Sequence, residues 1–199
     1  MPLLSWIGAR GRCRDCGARI PIRYPLIEAG CGLIGAGAAL SQPDLTLAGI
    51  TALLGWQLLL IAIVDGEHFW LPDQLTLPLL VSGLAANLWL DPAAWTGPVI
   101  GAVAGFGGLW LLAVIYRRMR GREGLGGGDP FLLAAGGAWV GWIGLPSVLI
   151  WASVGGLSVV AAGVLTGRRV AGSDRMPFGV YLAIGIGLTW LLGPLGLPG

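Results

Sequence analysis

Long apolar runs separated by short polar clusters set the pattern of this chain. The runs cover approximately Pro25–Leu40, Thr46–Val64, Gln74–Leu90, Thr96–Tyr116, Pro130–Ile143, Pro146–Leu165 and Pro177–Leu192. At 1.5 Å per residue, helices of this length approach the roughly 30 Å of a bilayer's hydrocarbon core. The pattern therefore predicts an all-α polytopic helical bundle of about seven transmembrane helices, with no room for a large soluble domain. The fifth run is short and glycine-rich, so it is expected to pair with the sixth through a tight Gly144-Leu145-Pro146 turn, to tilt less, or to form a re-entrant hairpin buried in protein.

Composition agrees: 55% of residues are apolar, 11% are charged and the mean hydropathy is +0.79, outside the range of a soluble domain. No cleavable signal peptide is expected, since Met1–Gly11 lacks a continuous apolar core and leads into Arg10, Arg12 and Arg14. The domain division expected is a short cytoplasmic segment over 1–24 and a membrane domain over 25–199.

Arginine gives the orientation, because the chain has no lysine. Arg10, Arg12, Arg14, Arg19 and Arg23 precede the first run, Arg117, Arg118, Arg120 and Arg122 follow the fourth, and Arg168, Arg169 and Arg175 follow the sixth. In a seven-span alternation all fall on one side. The positive-inside rule makes that side cytoplasmic, with the N-terminus inside and the C-terminus outside.

Tryptophan and glycine report on packing. Trp89, Trp95, Trp142 and Trp151 fall near outer boundaries and Trp70 near an inner one, while Trp56, Trp110 and Trp139 are expected to be buried. Glycines at 30, 32, 35, 37, 101 and 105 suit close approach of helix backbones. No strand precedes them, so no nucleotide-binding role is assigned.

Only ten residues are acidic, and two of them sit where runs end: Asp65 in Val64-Asp65-Gly66-Glu67-His68 and Asp129 in Gly126-Gly127-Gly128-Asp129. Each has a local structural explanation. Asp129 before Pro130 suits a helix N-cap, as does Asp73 before the third run, and Asp65-Gly66 suits a helix-ending turn. The two aspartates nonetheless fall at the same membrane edge and can face one another. Two carboxylates in a partly dehydrated site share a proton, giving one base and one acid. A water between them can then be deprotonated and aimed at a peptide carbonyl that the protonated partner polarises. Gly127 and Gly128 would let a substrate backbone lie close. This chemistry needs no cofactor and no metal.

Arg12-Cys13-Arg14-Asp15-Cys16-Gly17, Arg23-Tyr24-Pro25-Leu26-Ile27-Glu28, Asp65-x2-His68-x2-Leu71-Pro72-Asp73 and Gly126-x-Gly128-Asp129 occur in this order. Together they resemble the bacterial type IV prepilin (leader) peptidases, which are Gly-x-Gly-Asp membrane aspartic proteases, over nearly the whole chain. The resemblance implies that Asp65 and Asp129 are catalytic, with Gly126, Gly128, Glu28, His68 and Asp73 binding substrate or supporting the site. It also implies an inner-membrane enzyme that cleaves the basic leader of prepilins or pseudopilins at the cytoplasmic face, for type IV pilus biogenesis or type II secretion. The acidic loop Asp65–Asp73, with Glu123 and Asp174, would attract that basic leader. Its partners are then these substrates and the lipid bilayer, with no nucleic acid.

The chain departs from the family pattern twice. Family members carry two Cys-x2-Cys pairs and here there is Cys13-x2-Cys16, half of a tetrahedral zinc site, with Cys31 inside the first run. The family's N-methyltransferase activity, which uses S-adenosylmethionine, is therefore not expected. Phe131 stands where the family commonly has lysine. Asp65, Glu67, His68 and Asp73 also form a cluster of possible metal ligands, but their spacing matches no zinc-protease motif. Glu28 admits two readings, snorkelling to the interface or supporting the site. The alternative functions are a catalytically impaired assembly component of the pilus or secretion machinery, and a proton-coupled transporter. A transporter would carry midplane charges and an inverted repeat, which the sequence does not display.

Overall fold

The computed structural model describes residues 2–121, 124–167 and 176–196. They form an all-α protein: α1 (Pro2–Gly8), α2 (Arg23–Ser41), α3 (Leu45–His68), α4 (Asp73–Leu90), α5 (Thr96–Arg120), α6 (Asp129–Leu165) and α7 (Phe178–Leu192). A 3-10 turn, Pro92–Ala94, joins α4 to α5. Three stretches, Leu45–His68, Pro92–Arg120 and Asp129–Leu165, are long and apolar enough to cross a membrane. Arg122, Glu123, Arg168, Arg169, Asp174 and Arg175 lie outside the described residues.

The chain divides into two compact units, Met1–Leu59 and Leu60–Gly199, whose boundary falls inside α3. In the first unit α2 packs on the early part of α3. Gly55 admits the Ile34 side chain, Gly30 admits Leu59, and the Trp56 indole donates to the Cys31 carbonyl at 2.9 Å. Asp44 caps α3, accepting the Leu47 N–H at 2.8 Å. Between α1 and α2 the backbone turns back on itself, with Cys13 N–H donating to Ala18 at 2.8 Å and Gly17 N–H donating to Cys13 at 3.0 Å.

In the second unit α6 is two helices in one. Gly141 takes φ 69° and ψ 176°, a region open essentially to glycine alone. Gly136 lies against Ile186 and Trp139 faces Trp190, so the half 129–140 runs parallel to α7. Beyond the break, Gly144 lies near Thr189, Gly185 near Val148 and Gly155 near Tyr181, so the half 142–165 runs antiparallel to α7. The two halves thus form a hairpin, and the fifth and sixth apolar runs are its arms. The turn comes at Gly141 and not at Gly144-Leu145-Pro146, because only Gly141 adopts the reversing conformation; the helix passes through Pro146 near its start.

The half-helix 129–140 is the centre of this unit. Gly101 and Gly137 bring the backbones of α5 and the half-helix into contact, and Gly105 does the same against Leu133. Added side chains at Gly101 or Gly137 would strike the opposite backbone, so close packing by small residues operates here as in other membrane bundles. Trp139 is 1% exposed, as expected, whereas Trp56 and Trp110 are 45% and 52% exposed. An apolar exterior carries no penalty against lipid, so burial is not the default for tryptophan in a spanning helix.

Candidate active site

Asp65 and Asp129 are both buried, at 4% and 3% exposure, and their charges are near enough to act on one another. Asp65 lies within the last turn of α3, which continues to His68, so it does not end the helix. Its Oδ2 accepts the Val180 N–H at 3.0 Å, and the Gly179 N–H also points to the carboxylate. Both donors belong to the first turn of α7, where backbone N–H groups lack partners four residues back and carry partial positive charge; the Val180 N–H also donates to the Pro177 carbonyl at 3.2 Å. Gly179 is required at this contact. A Cβ there would lie 2.8 Å from Asp65 Oδ2 and 2.8 Å from Leu71 Cδ1.

Asp129 opens α6, but Gly128 holds the N-cap position and makes no side-chain cap. The carboxylate turns backwards, its Oδ2 accepting the Gly126 N–H at 2.9 Å. A helix cap would instead accept from residues ahead of it. Asp73 likewise sits in the first turn of α4, whose N-cap is Pro72. Gly128 abuts Leu71, with 2.6 Å between its would-be Cβ and that of Leu71. Leu71 therefore touches both Gly128 and Gly179, linking the two acidic centres.

Asp129 lies well away from the arginine-bearing end of α5. Gly105 pairs with Leu133 and Gly101 with Gly137 across antiparallel helices, which puts Asp129 beside Leu109. Leu109 is eight residues before Arg117, or about 12 Å along α5. The glycine-rich linker makes this possible by folding back along α5: Gly124 lies against Tyr116 and Gly126 against Asp129. Within a membrane bundle, non-helical backbone is tolerated where it is covered by protein or borders a cavity. Here it borders a cavity of about 650 Å³ lined by Gly105, Leu109, Leu112, Leu125, Leu149 and Phe178 among others, with Asp129 in its wall.

The other expected site residues are distributed unevenly. Gly126 and Gly128 join the aspartates, as described. His68 and Asp73 are exposed, and His68 Nε2 lies 4.0 Å from Glu67 Oε2. Among the described residues no group of three or more His, Cys, Asp or Glu side chains is arranged to hold a metal. Glu28 and Cys13 belong to the first unit, where they line a cavity of about 620 Å³ with Trp6, Arg12, Tyr24 and Pro25. N–H groups of Cys16 and Asp15 point to the Cys13 sulfur and hold its thiol below the usual range, and the Cys16 side chain adds to this. Two thiols supply half of a tetrahedral zinc shell. Phe131 packs edge-on against Phe106, ring centroids 5.0 Å apart.

Residues 52–161 match the model of the type IV leader peptidase family, and residues 1–41 match the bacterial peptidase A24 N-terminal domain. The chain belongs to the type IV leader peptidase family. Proteins named prepilin leader peptidase/N-methyltransferase from Burkholderia pseudomallei (strain K96243) and Aeromonas hydrophila are each 44% identical to it, over 97% and 96% of the chain. That of Stutzerimonas stutzeri is 40% identical over 96% of the chain. The chain spans 62% of the length of the first of these leader peptidases and 66% of the other two. No solved structure matches it. Gly179 and Val180 were not evident as site residues from sequence, where the only signal was a glycine in the first turn of an apolar helix.

Proposed function

We propose that this chain is a membrane aspartic endopeptidase that removes the basic leader of prepilins or pseudopilins at the cytoplasmic face of the bacterial inner membrane, serving pilus biogenesis or type II secretion. One observation carries the reading: two buried carboxylates on segments joined by Leu71, one of them in the wall of a largely apolar cavity, in a chain of the leader peptidase family. The relatives named prepilin leader peptidase/N-methyltransferase supply the substrate class.

In the mechanism Asp65 is the base, because the N–H groups at the start of α7 suit a carboxylate that carries charge. Asp129 is the acid. Water held between them gives a proton to Asp65 as its oxygen bonds to the scissile carbonyl carbon, while the Asp129 proton passes to the carbonyl oxygen. The tetrahedral intermediate collapses when the C–N bond breaks, with the Asp65 proton going to the leaving nitrogen and the hydroxyl proton returning to Asp129. Water, substrate and products balance, and both carboxyls regain their starting states. The cavity seats apolar substrate residues beside the scissile bond, and backbone exposed by Gly126 and Gly128 lets the peptide approach Asp129.

Co-expression with a prepilin tests this. Leader removal should occur with the wild type and slow by about 10²-fold or more with Asp65→Asn or with Asp129→Asn; cleavage at the wild-type rate with either substitution refutes the paired mechanism.

A further inference from the structure

The half-helix 129–140 carries Asp129 at one end and is fastened at the other. Because Gly141 leaves the helical path, the last carbonyls of the half-helix lose the N–H partners that would follow them. Asn87, on α4, replaces those partners. Its side-chain amide donates to the Ala138 carbonyl at 3.0 Å and the Trp139 carbonyl at 3.1 Å, and reaches Gly83 on its own helix at 3.0 Å. Trp139 returns the contact, its indole N–H donating to the Leu79 carbonyl at 2.8 Å. Gly83 leaves the space for this exchange, since a Cβ there would meet the Trp139 ring at 2.6 Å.

We propose that Asn87 is a positioning residue for Asp129, fixing how far the half-helix lies along its own axis. Apolar packing alone permits a helix to slide by one ridge, whereas two carbonyl acceptors at the broken end are matched in one position. Asn87 acts on Ala138 and Trp139, nine and ten residues from Asp129, so the coupling runs along about 14 Å of helix. A slip of one residue moves Asp129 by about 1.5 Å, and misplacement by about 1 Å already costs an active site near 100-fold in rate. Leucine at position 87 would fill similar space and leave both carbonyls without a donor. Histidine would keep an N–H close to where the asparagine amide carries one.

The activity readout rests on the aspartic peptidase reading above; a structural readout does not. In full-length protein with Cys13, Cys16 and Cys31 changed to serine, Phe106→Cys and Phe131→Cys are joined by a short bis-methanethiosulfonate, each thiol displacing a sulfinate to form a disulfide, reporting the half-helix against α5. Asn87→Leu should lower crosslinking and reduce kcat by about 10- to 100-fold at unchanged KM, while eluting as a folded species in detergent. Asn87→His should restore both. The proposal is overturned if Asn87→Leu crosslinks as the parent does, or if it loses crosslinking with kcat intact. Should Asn87→Leu aggregate, Asn87→His decides: parental crosslinking supports positioning, and aggregation of both variants reduces Asn87 to general packing. If the wild type cleaves no prepilin, the peptidase reading fails, and the crosslinking comparison still decides whether Asn87 fixes the half-helix.

Discussion

Gly179→Ala should disable the site while sparing the fold. The added Cβ would stand 2.8 Å from Asp65 Oδ2 and 2.8 Å from Leu71 Cδ1, where ordinary contact begins at 3.4 Å, so each neighbour must give about 0.6 Å. Both groups are 4% exposed, but Leu71 is also held by its Cβ and carbonyl against Gly128, so the displacement expected is that of the Asp65 carboxylate. Its bond from Val180 N–H is 3.0 Å, and a displacement of about 0.6 Å away from the donor takes it to the edge of hydrogen bonding. Scaling from the roughly 100-fold loss that a 1 Å misplacement brings, kcat should fall about 10- to 100-fold, or about 1.4–2.7 kcal/mol on the barrier. Global stability should change little, because alanine in place of glycine favours a helix by up to about 1 kcal/mol, offsetting part of the crowding. The assay is prepilin cleavage in detergent with kcat and KM resolved, beside thermal unfolding of the same samples. A variant with kcat within about twofold of wild type, against the loss expected of a misplaced carboxylate, would refute the claim that α7's first turn holds Asp65 in place.

Further outcomes follow from the same geometry. Asp65→Asn and Asp129→Asn each keep an oxygen that accepts the Val180 or Gly126 N–H, so both should fold, with cleavage reduced about 10²- to 10⁴-fold in single-turnover assays. Gly137→Ala places a side chain against the Gly101 backbone and should lower stability by about 1–3 kcal/mol, measured by unfolding in detergent. At Cys13 the folded thiol lies below its ordinary value of 9.0. Its thiolate therefore persists to lower pH in the folded state, and the stability this contributes is lost as pH falls through the folded pKa. Alkylation followed by site-resolved mass spectrometry should show its rate rising at lower pH in native than in denatured protein.

The helices were legible because length and apolarity decide them: the runs at 46–64, 74–90 and 96–116 became α3, α4 and α5 with modest extension. The placement of Asp65 and Asp129 at run boundaries was legible too, since one closes an apolar run and the other opens one on the same side of an alternation. The course of the linker was not. A run's end says where a helix stops, but the linker that folds back past Tyr116 is held by contacts distant in sequence. The same holds for Asp65, whose donor Val180 lies 115 residues away, and for Asn87, whose acceptors lie 51 and 52 residues on. The hairpin turn was displaced because Gly144-Leu145-Pro146 has turn chemistry, whereas a single preceding glycine bore the strained dihedrals.

Asp129 stands at a seam between unlike mechanical parts. Behind it the half-helix meets neighbours backbone to backbone at Gly101, Gly105 and Gly137, a contact with no compressible side chain to yield. Ahead of it Gly124, Gly126, Gly127 and Gly128 make four glycines in five residues, the most deformable composition a chain can offer. The half-helix is thus braced on backbone contacts, while the linker has the composition to deform. On the peptidase reading proposed above, the linker is the part that would yield to an incoming peptide while the Asp129 carboxyl keeps its place.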